Sequence, residues 1–367
     1  MTTPFPLLRL PYPVLMLALE QMPFIERFSL SILSKQVRIF LKLLKMKCKQ
    51  INLKHEYGAI RMEVLFDNLV EKFRLEMFTS GYVEFKYRED ALLCNTSGVP
   101  PMNYAISIMD VMHCKSIHQF RIVEIPERNI LPLLVNLPKI YEVVVDETYN
   151  SSSPDSLLQK MLNIVLPVSS AVTISAFVVK PKYLREILKG NLDSVTVGNH
   201  RVGNTANYGL RFSLNALRIT NAKALDLYNV ILNSKDMNRF FKLWMKKKCD
   251  PRLEYLRARK YRDGNEDRLL KGLNAVGMPI RTDRTFRVLG NVEQLRSDEE
   301  TTTEFDITRV DGRQATIRFG ESDEYNFIDF YVWPESPNDT TDFEPDQSSL
   351  TEHIHRIVSR HGLLERF

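Results

Sequence analysis

The side chains best suited to chemistry in this chain are seven histidines and four cysteines, and they are dispersed. "HCKSIH" brings His113, Cys114 and His118 close along the chain. A metal centre needs three or four ligands converging from fixed geometry. No second ligand pair accompanies these three, so a partly buried edge is the expected role. "HIHRIVSRH" carries His353, His355 and His361 and reads as a solvated helix near the tail. Cys48, Cys94 and Cys249 have no histidine paired with them by sequence, which leaves nucleophilic catalysis without a base. A hydrolase built on His113, Cys114 and His118 lacks the same pairing. No CxxC occurs, and a chain of this length does not need a disulfide framework, so a reducing compartment is expected. Phosphate loops are missing too. Neither GxxxxGK[ST] nor GxGxxG is present, and "GNHRVGNTANYG" (Gly198 to Gly209) fits neither. There is no GxSxG elbow. The expectation is a protein that is not an enzyme, with no cofactor and no metal.

Charge and hydropathy narrow the classes further. Fifty basic against 45 acidic residues leave a net charge of +5 over 367 residues. Nucleic-acid binding normally demands a concentrated basic face, which this balance does not provide. Lys42, Lys45, Lys47, Lys49 and Lys54 read as a solvated helix end or linker. Lys246, Lys247 and Lys248 follow a helix C-terminus, where the dipole favours them. The longest unbroken apolar run near the start, Val14 to Leu19, is short and preceded by prolines, so no secretory signal is expected. No run approaches the roughly 18 residues of a membrane span. Cytoplasm or nucleus remains.

Several elements can be placed from pattern alone. Between Phe5 and Leu44, 24 of 40 residues are apolar, more than so short a stretch can bury within itself. Pro13 suits the first turn of a helix running to about Met22. Its residues Val14 to Leu19 are apolar in every direction, and such a helix must be covered on all sides. Pro23 breaks the run. Ile25, Phe28, Ile32 and Leu33 mark a second stripe, and Val37, Phe40, Leu41 and Leu44 a third. Three short helices therefore present surplus apolar surface to the rest of the chain or to another protein.

From Ile51 the period changes. "YVEFKYR", "FRIVEI" and "YEVVVDE" read as strands, the last buried on both faces. "SPDSLLQKMLNIV" reads as a helix capped by Ser153, "AVTISAFVV" as a strand, "KYLREILKG" as a helix and "LDSVTVG" as a strand. Further strands are predicted around Leu217 to Ile219, Leu225 to Tyr228 and Leu253 to Arg257. A helix capped by Asn233 or Ser234 turns Met237, Phe240, Phe241 and Trp244 onto one core-facing side. The spacing points to a degenerate leucine-rich-repeat-like β/α array in which each unit shields its neighbour. Asp311-Gly312 marks a β-hairpin, "YNFIDFYVW" a further strand, and "PESPNDTTDFEPDQSS" an acidic, partly disordered tail. A short helix is predicted near Ile354 to Leu364.

Three stretches resemble two known families. "FPLLRLPYPVLMLALEQMPFIERFSLSILSKQVRIFLKLL" resembles an F-box, in its Leu-Pro entry, apolar helix, short break and "LSILSKQVR". "ALDLYNVILNSKDMNRFFKLWMKKKCDPRLEYLRA" is similar to the type 2 F-box-associated domain found behind such F-boxes in nematode proteins. It shares Asn238, Phe241 and Trp244 on one helix and then Pro251 to Leu256. The tail "FDITRVDGRQATIRF…FYVW" resembles that domain's end. The resemblance implies a substrate-recognition subunit of an SCF-type cullin-RING ubiquitin ligase. Its F-box would dock on a Skp adaptor, and through it cullin, while the C-terminal domain binds a client protein; neither nucleic acid nor membrane is implied. The adaptor-facing residues implied are Leu8, Leu10, Pro11, Val14, Leu15 and Ala18, helped by Ile25, Leu30 and Leu33. The expected architecture is α+β or α/β: an F-box over 5–45, a variable β/α region over 46–190, the associated domain over 191–334 and the tail over 335–367. The competing reading is a non-ligase scaffold whose N-terminal helices pack on its own core.

Overall fold

Proline and serine placement sets the first elements. Pro13 lies in the opening turn of α1 (Tyr12–Gln21), and Pro23 precedes α2 (Phe24–Leu33). Ser34 caps α3 (Lys35–Leu43), its hydroxyl accepting from the Val37 amide at 3.3 Å. The three helices expected from sequence are thus present. The computed structural model describes residues 7–66, 72–96, 98–124, 129–146, 155–175, 181–198, 211–228, 230–249, 251–259, 266–280, 285–288, 291–294, 301–321 and 326–333. The polar loop 199–209, the Ser153-Pro154 cap, the histidines at 353–361, the acidic tail and its final helix lie outside these residues. The chain divides into two compact units, Met1–Ser169 and Ser170–Phe367.

After the helices, the first unit carries β1 (Gln50–Glu56), β2 (Ala59–Leu65), β3 (Lys72–Phe78), β4 (Tyr82–Tyr87) and β5 (Asp90–Asn95). Next come α4 (Met102–Val111), β6 (Ser116–Ile122), β7 (Lys139–Val145) and α5 (Asp155–Val165). Its strands are ordered β7-β6-β1-β2-β3-β4-β5. Strands β1 to β5 form an antiparallel meander, whereas β1, β6 and β7 pair in parallel. Sequence reasoning expected the first half of a β/α array here. Short turns between β1 and β5 permit only antiparallel pairing, and parallel pairing starts where α4 provides a crossover. Alternation puts Leu53, Met62, Leu75 and Phe85 on one buried face. Lys54, Arg61, Glu76 and Glu84 stand on the other, where Arg61 pairs with Glu76 at 2.8 Å.

The second unit opens with β8 (Ser169–Ser175), α6 (Pro181–Lys189), β9 (Ser194–Gly198) and the two-residue β10 (Arg211–Phe212). It continues through α7 (Leu214–Ile219), β11 (Ala224–Tyr228), β12 (Ile231–Leu232), α8 (Ser234–Met245) and β13 (Tyr255–Arg259). The remainder is α9 (Glu266–Leu270), β14 (Val276–Met278), the β15 (Thr285–Val288) and β16 (Asn291–Gln294) pair, β17 (Thr301–Thr308), β18 (Gln314–Glu321) and β19 (Asn326–Val332). The main sheet here runs β8-β9-β11-β13-β19-β18-β17-β14. Strands β8, β9, β11 and β13 are parallel and separated by helices, the β/α repeat that the spacing predicts. The stretch Leu217 to Ile219, expected as a strand, belongs to α7 instead. Ser213 caps that helix by accepting from the Ala216 amide, and Thr220 donates back to the Ala216 carbonyl. Asp311-Gly312 does form the β17–β18 turn, with Gly312 at φ +87°, a conformation that L side chains rarely adopt.

Helix α8 supplies the core of this unit. Asn233 caps it through the Lys235 amide at 2.8 Å. Met237, Phe240, Phe241 and Trp244 are all buried, as the spacing predicts. Phe330 of β19 meets Phe241 and Trp244 at 5.0 and 5.1 Å between ring centroids.

Candidate protein-docking face

Helices α1 and α3 carry apolar residues on two sides, one packed and one open. Leu15 and Leu19, four residues apart on α1, are buried together with Phe28 of α2 and Val37 and Leu41 of α3. Phe28 stacks on Phe73 of β3 at 4.8 Å and 28°. Phe24 packs against Phe66 and Tyr87 at 5.1 and 4.8 Å, fixing α2 to the meander. Polar contacts hold α3 to α4. Lys42 Nζ lies 2.7 Å from Asp110 Oδ1, and His113 Nε2 lies 2.9 Å from the Lys42 carbonyl.

The opposite side is open. Leu8, Tyr12, Val14, Leu17, Ile39 and Leu43 are 37 to 61% exposed. Val14 and Leu17 stand on α1 away from Leu15 and Leu19, and Ile39 and Leu43 stand on α3 away from Val37 and Leu41. Tyr12 and Phe40 join the two helices, their ring centroids 6.3 Å apart. The apolar-all-round α1 is therefore covered on one side only. An exposed apolar group of this kind marks a protein-binding surface more often than chance exposure does.

The residues singled out from sequence divide between the two sides. Leu8, Pro11 and Val14 are exposed, and Leu10, Ala18 and Leu30 are half-buried. Leu15 and Ile25 are enclosed by their own unit, where a partner cannot reach them without unfolding it. Leu33 lies in α2, and its side chain is outside the described residues. Tyr12, Leu17, Ile39 and Leu43 were missed. Helical spacing set them opposite the buried residues, but nothing in the pattern said which side faced inward.

The other chemically suggestive groups are structural. His113 is held at Lys42, and the Cys114 thiol lies 3.6 Å from the Ser116 carbonyl. Burial pushes the Cys94 thiol up, away from the reactive thiolate. Among the described residues, no three His, Cys, Asp or Glu side chains gather as metal ligands would.

In the second unit, cross-strand register builds a row of alternating charge: Glu304, Arg318, Asp329, Arg257 and Asp226 on five adjacent strands. Asp329 is 1% exposed and accepts from Arg257 at 2.6 and 2.7 Å, from Tyr331 at 3.0 Å and from Tyr255 at 3.4 Å. Burial opposes its ionisation, but the Arg257 charge and hydrogen bonds hold its carboxyl below the ordinary range. Burial, and then Asp329, push the Tyr331 phenol far up. A carboxylate so fully engaged and so hidden locks strands together and offers no lone pair to a substrate.

Two family models match parts of the chain. The F-box domain family matches residues 7–49, and the family described as F-box associated matches residues 183–258. No curated protein and no solved structure matches the chain. The chain thus carries an F-box domain and an F-box associated domain. Both families are interaction modules rather than enzymes, and together they give the chain the general role of an SCF-type substrate adaptor. Among the described residues, no helix is long and apolar enough to cross a membrane.

Proposed function

We propose that this chain is the client-selecting subunit of an SCF-type ligase, docking on a Skp adaptor, and through it on cullin, with the open side of α1 and α3. In this reading residues 5–45 form the docking module and 191–334 the client-binding module, and the protein works in the cytoplasm or nucleus. The observation that carries it is the exposure of Tyr12, Val14, Leu17, Ile39 and Leu43 on helices whose other side is already packed. A few such anchors, removed from water at the centre of an interface, supply most of its binding energy. Of the residues singled out from sequence, Leu8, Leu10, Pro11, Val14, Ala18 and Leu30 remain available to the adaptor. Leu15 and Ile25 support the docking side from beneath.

The scaffold alternative is favoured by one observation, the packing of Phe24 and Phe28 on the meander. That packing accounts for the inward side and leaves the outward side unexplained. Leu17→Asp combined with Ile39→Asp is the test. The double variant is expected to keep its thermal transition and to lose co-purification with recombinant Skp adaptor. Undiminished co-purification overturns the proposal.

A further inference from the structure

The outward side of α8 carries cations from end to end. Lys235, Arg239, Lys242 and Lys246 follow one another at intervals of four, three and four residues. They therefore form a single stripe about 16 Å long, at ~1.5 Å rise per residue. Lys235, Arg239 and Lys246 are exposed and Lys242 half-exposed. Like charges at these intervals repel. The helix dipole welcomes Lys242 in the last turn and Lys246 at the C-cap but opposes Lys235 in the first turn. Among the described residues compensation is slight: Asp236 lies 3.9 Å from Arg239 and also accepts from the Leu214 amide, whereas Lys235, Lys242 and Lys246 form no ion pair there.

A neighbouring segment extends the stripe. Asn238, buried on α8, donates to the carbonyls of Leu269 and Lys271 at 2.5 and 3.0 Å. This fixes α9 and the following turn alongside α8. Gly272 takes φ +70° there, and a Cβ at that position would lie 3.3 Å from the Lys242 ammonium. The turn thus brings exposed Lys271 beside the stripe, without an ion pair among the described residues.

We propose that this stripe binds an acidic, extended polypeptide segment of the client. The proposal rests on the client-selecting reading and deepens it. Acidic side chains on alternate residues of an extended chain recur about every 7 Å, within reach of flexible lysines spaced about one helical turn apart. Single-stranded nucleic acid is disfavoured because its bases need exposed aromatic platforms. The aromatic residues of α8, Phe240, Phe241 and Trp244, are all buried.

Fluorescence anisotropy on the full chain tests this, using a labelled peptide with aspartate at alternate positions, its glutamine counterpart and an oligonucleotide of equal charge. The aspartate peptide is expected to bind, the glutamine peptide not, and added salt to weaken binding. Lys235→Glu with Lys242→Glu should weaken it at least about tenfold. The same variant should gain affinity for a lysine-bearing peptide, which an unfolded protein would not. Equal binding of the glutamine peptide, binding untouched by the charge reversal, or tighter binding of the oligonucleotide overturns the proposal. Adaptor co-purification is read on the same samples. Its absence from the unsubstituted chain, with aspartate-peptide binding and its charge reversal intact, would sink the docking reading and leave this one standing.

Discussion

Helices α1 and α3 of the first unit and α8 of the second bury the same kind of side chain and expose opposite kinds. Leu15, Val37 and Leu41 face inward in one, and Phe240, Phe241 and Trp244 in the other. Outward, α1 and α3 show Val14, Leu17, Ile39 and Leu43, whereas α8 shows Lys235, Arg239, Lys242 and Lys246. Inward residues are fixed by the demand for a close-packed core. Outward residues are under no such demand; the docking reading assigns the apolar side to the adaptor, and the client-segment proposal assigns the basic side to an acidic segment.

The sheets differ in a parallel way, and substitutions there test how deep the difference goes. Asp329→Ala leaves Arg257 buried and unpaired, and such losses cost about 3–5 kcal/mol. Glu76→Ala in the first unit leaves Arg61 with Glu56 at 3.3 Å as a remaining partner, so a loss of about 0–1 kcal/mol is expected. Urea unfolding of the two variants is expected to separate them by several-fold. Equal effects would mean that both charge rows are equally solvated.

Inside and outside of the F-box can be separated in the same manner. Phe28→Ala removes the ring stacked on Phe73 and is expected to destabilise the first unit by about 3–5 kcal/mol. Leu17→Asp is expected to change stability by no more than about 0.5 kcal/mol. A large loss from Leu17→Asp would show that the open side is core after all.

A more gradual effect is a pH dependence that arises in the first unit. His55 on β1 is fully buried, its Nδ1 3.2 Å from the Glu124 carbonyl, and burial lowers its pKa below the ordinary 6.5. Below that value the unfolded chain takes up the proton first. His55 therefore contributes stability above about pH 6.5 and loses it as the pH falls towards the folded value, at no more than ~1.4 kcal/mol per pH unit. Chemical denaturation at neutral and mildly acid pH is expected to show this slope, and His55→Phe to remove its share.

Much of this organisation was legible in the sequence, for identifiable reasons. Pro13, Pro23 and Ser34 punctuate the first three helices, Asn233 opens α8, and Asp311-Gly312 closes a hairpin. Helix α7 was read as a strand because Leu217 to Ile219 is a short mixed run whose helical cap, Ser213, looks like any loop serine. The charge row was invisible for a different reason. "YLRAR", "TIRFG" and "FIDFYV" each read as ordinary alternation, and only register across strands sets Arg257 and Arg318 beside Asp329. The docking side was half legible. Its residues were in view, but with both sides of α1 apolar, the direction inward depends on Phe73 and the meander, which pattern along α1 cannot supply.

Hydroxyl-radical footprinting of the full chain, alone and with Skp adaptor, reads the open side most directly. The oxidation of Tyr12, Leu17, Ile39 and Leu43 is expected to slow on complex formation, while Leu15 and Leu19 stay slow in both states. A complex that forms with those four side chains still oxidised at their free rate would contradict the assignment of this side to the adaptor.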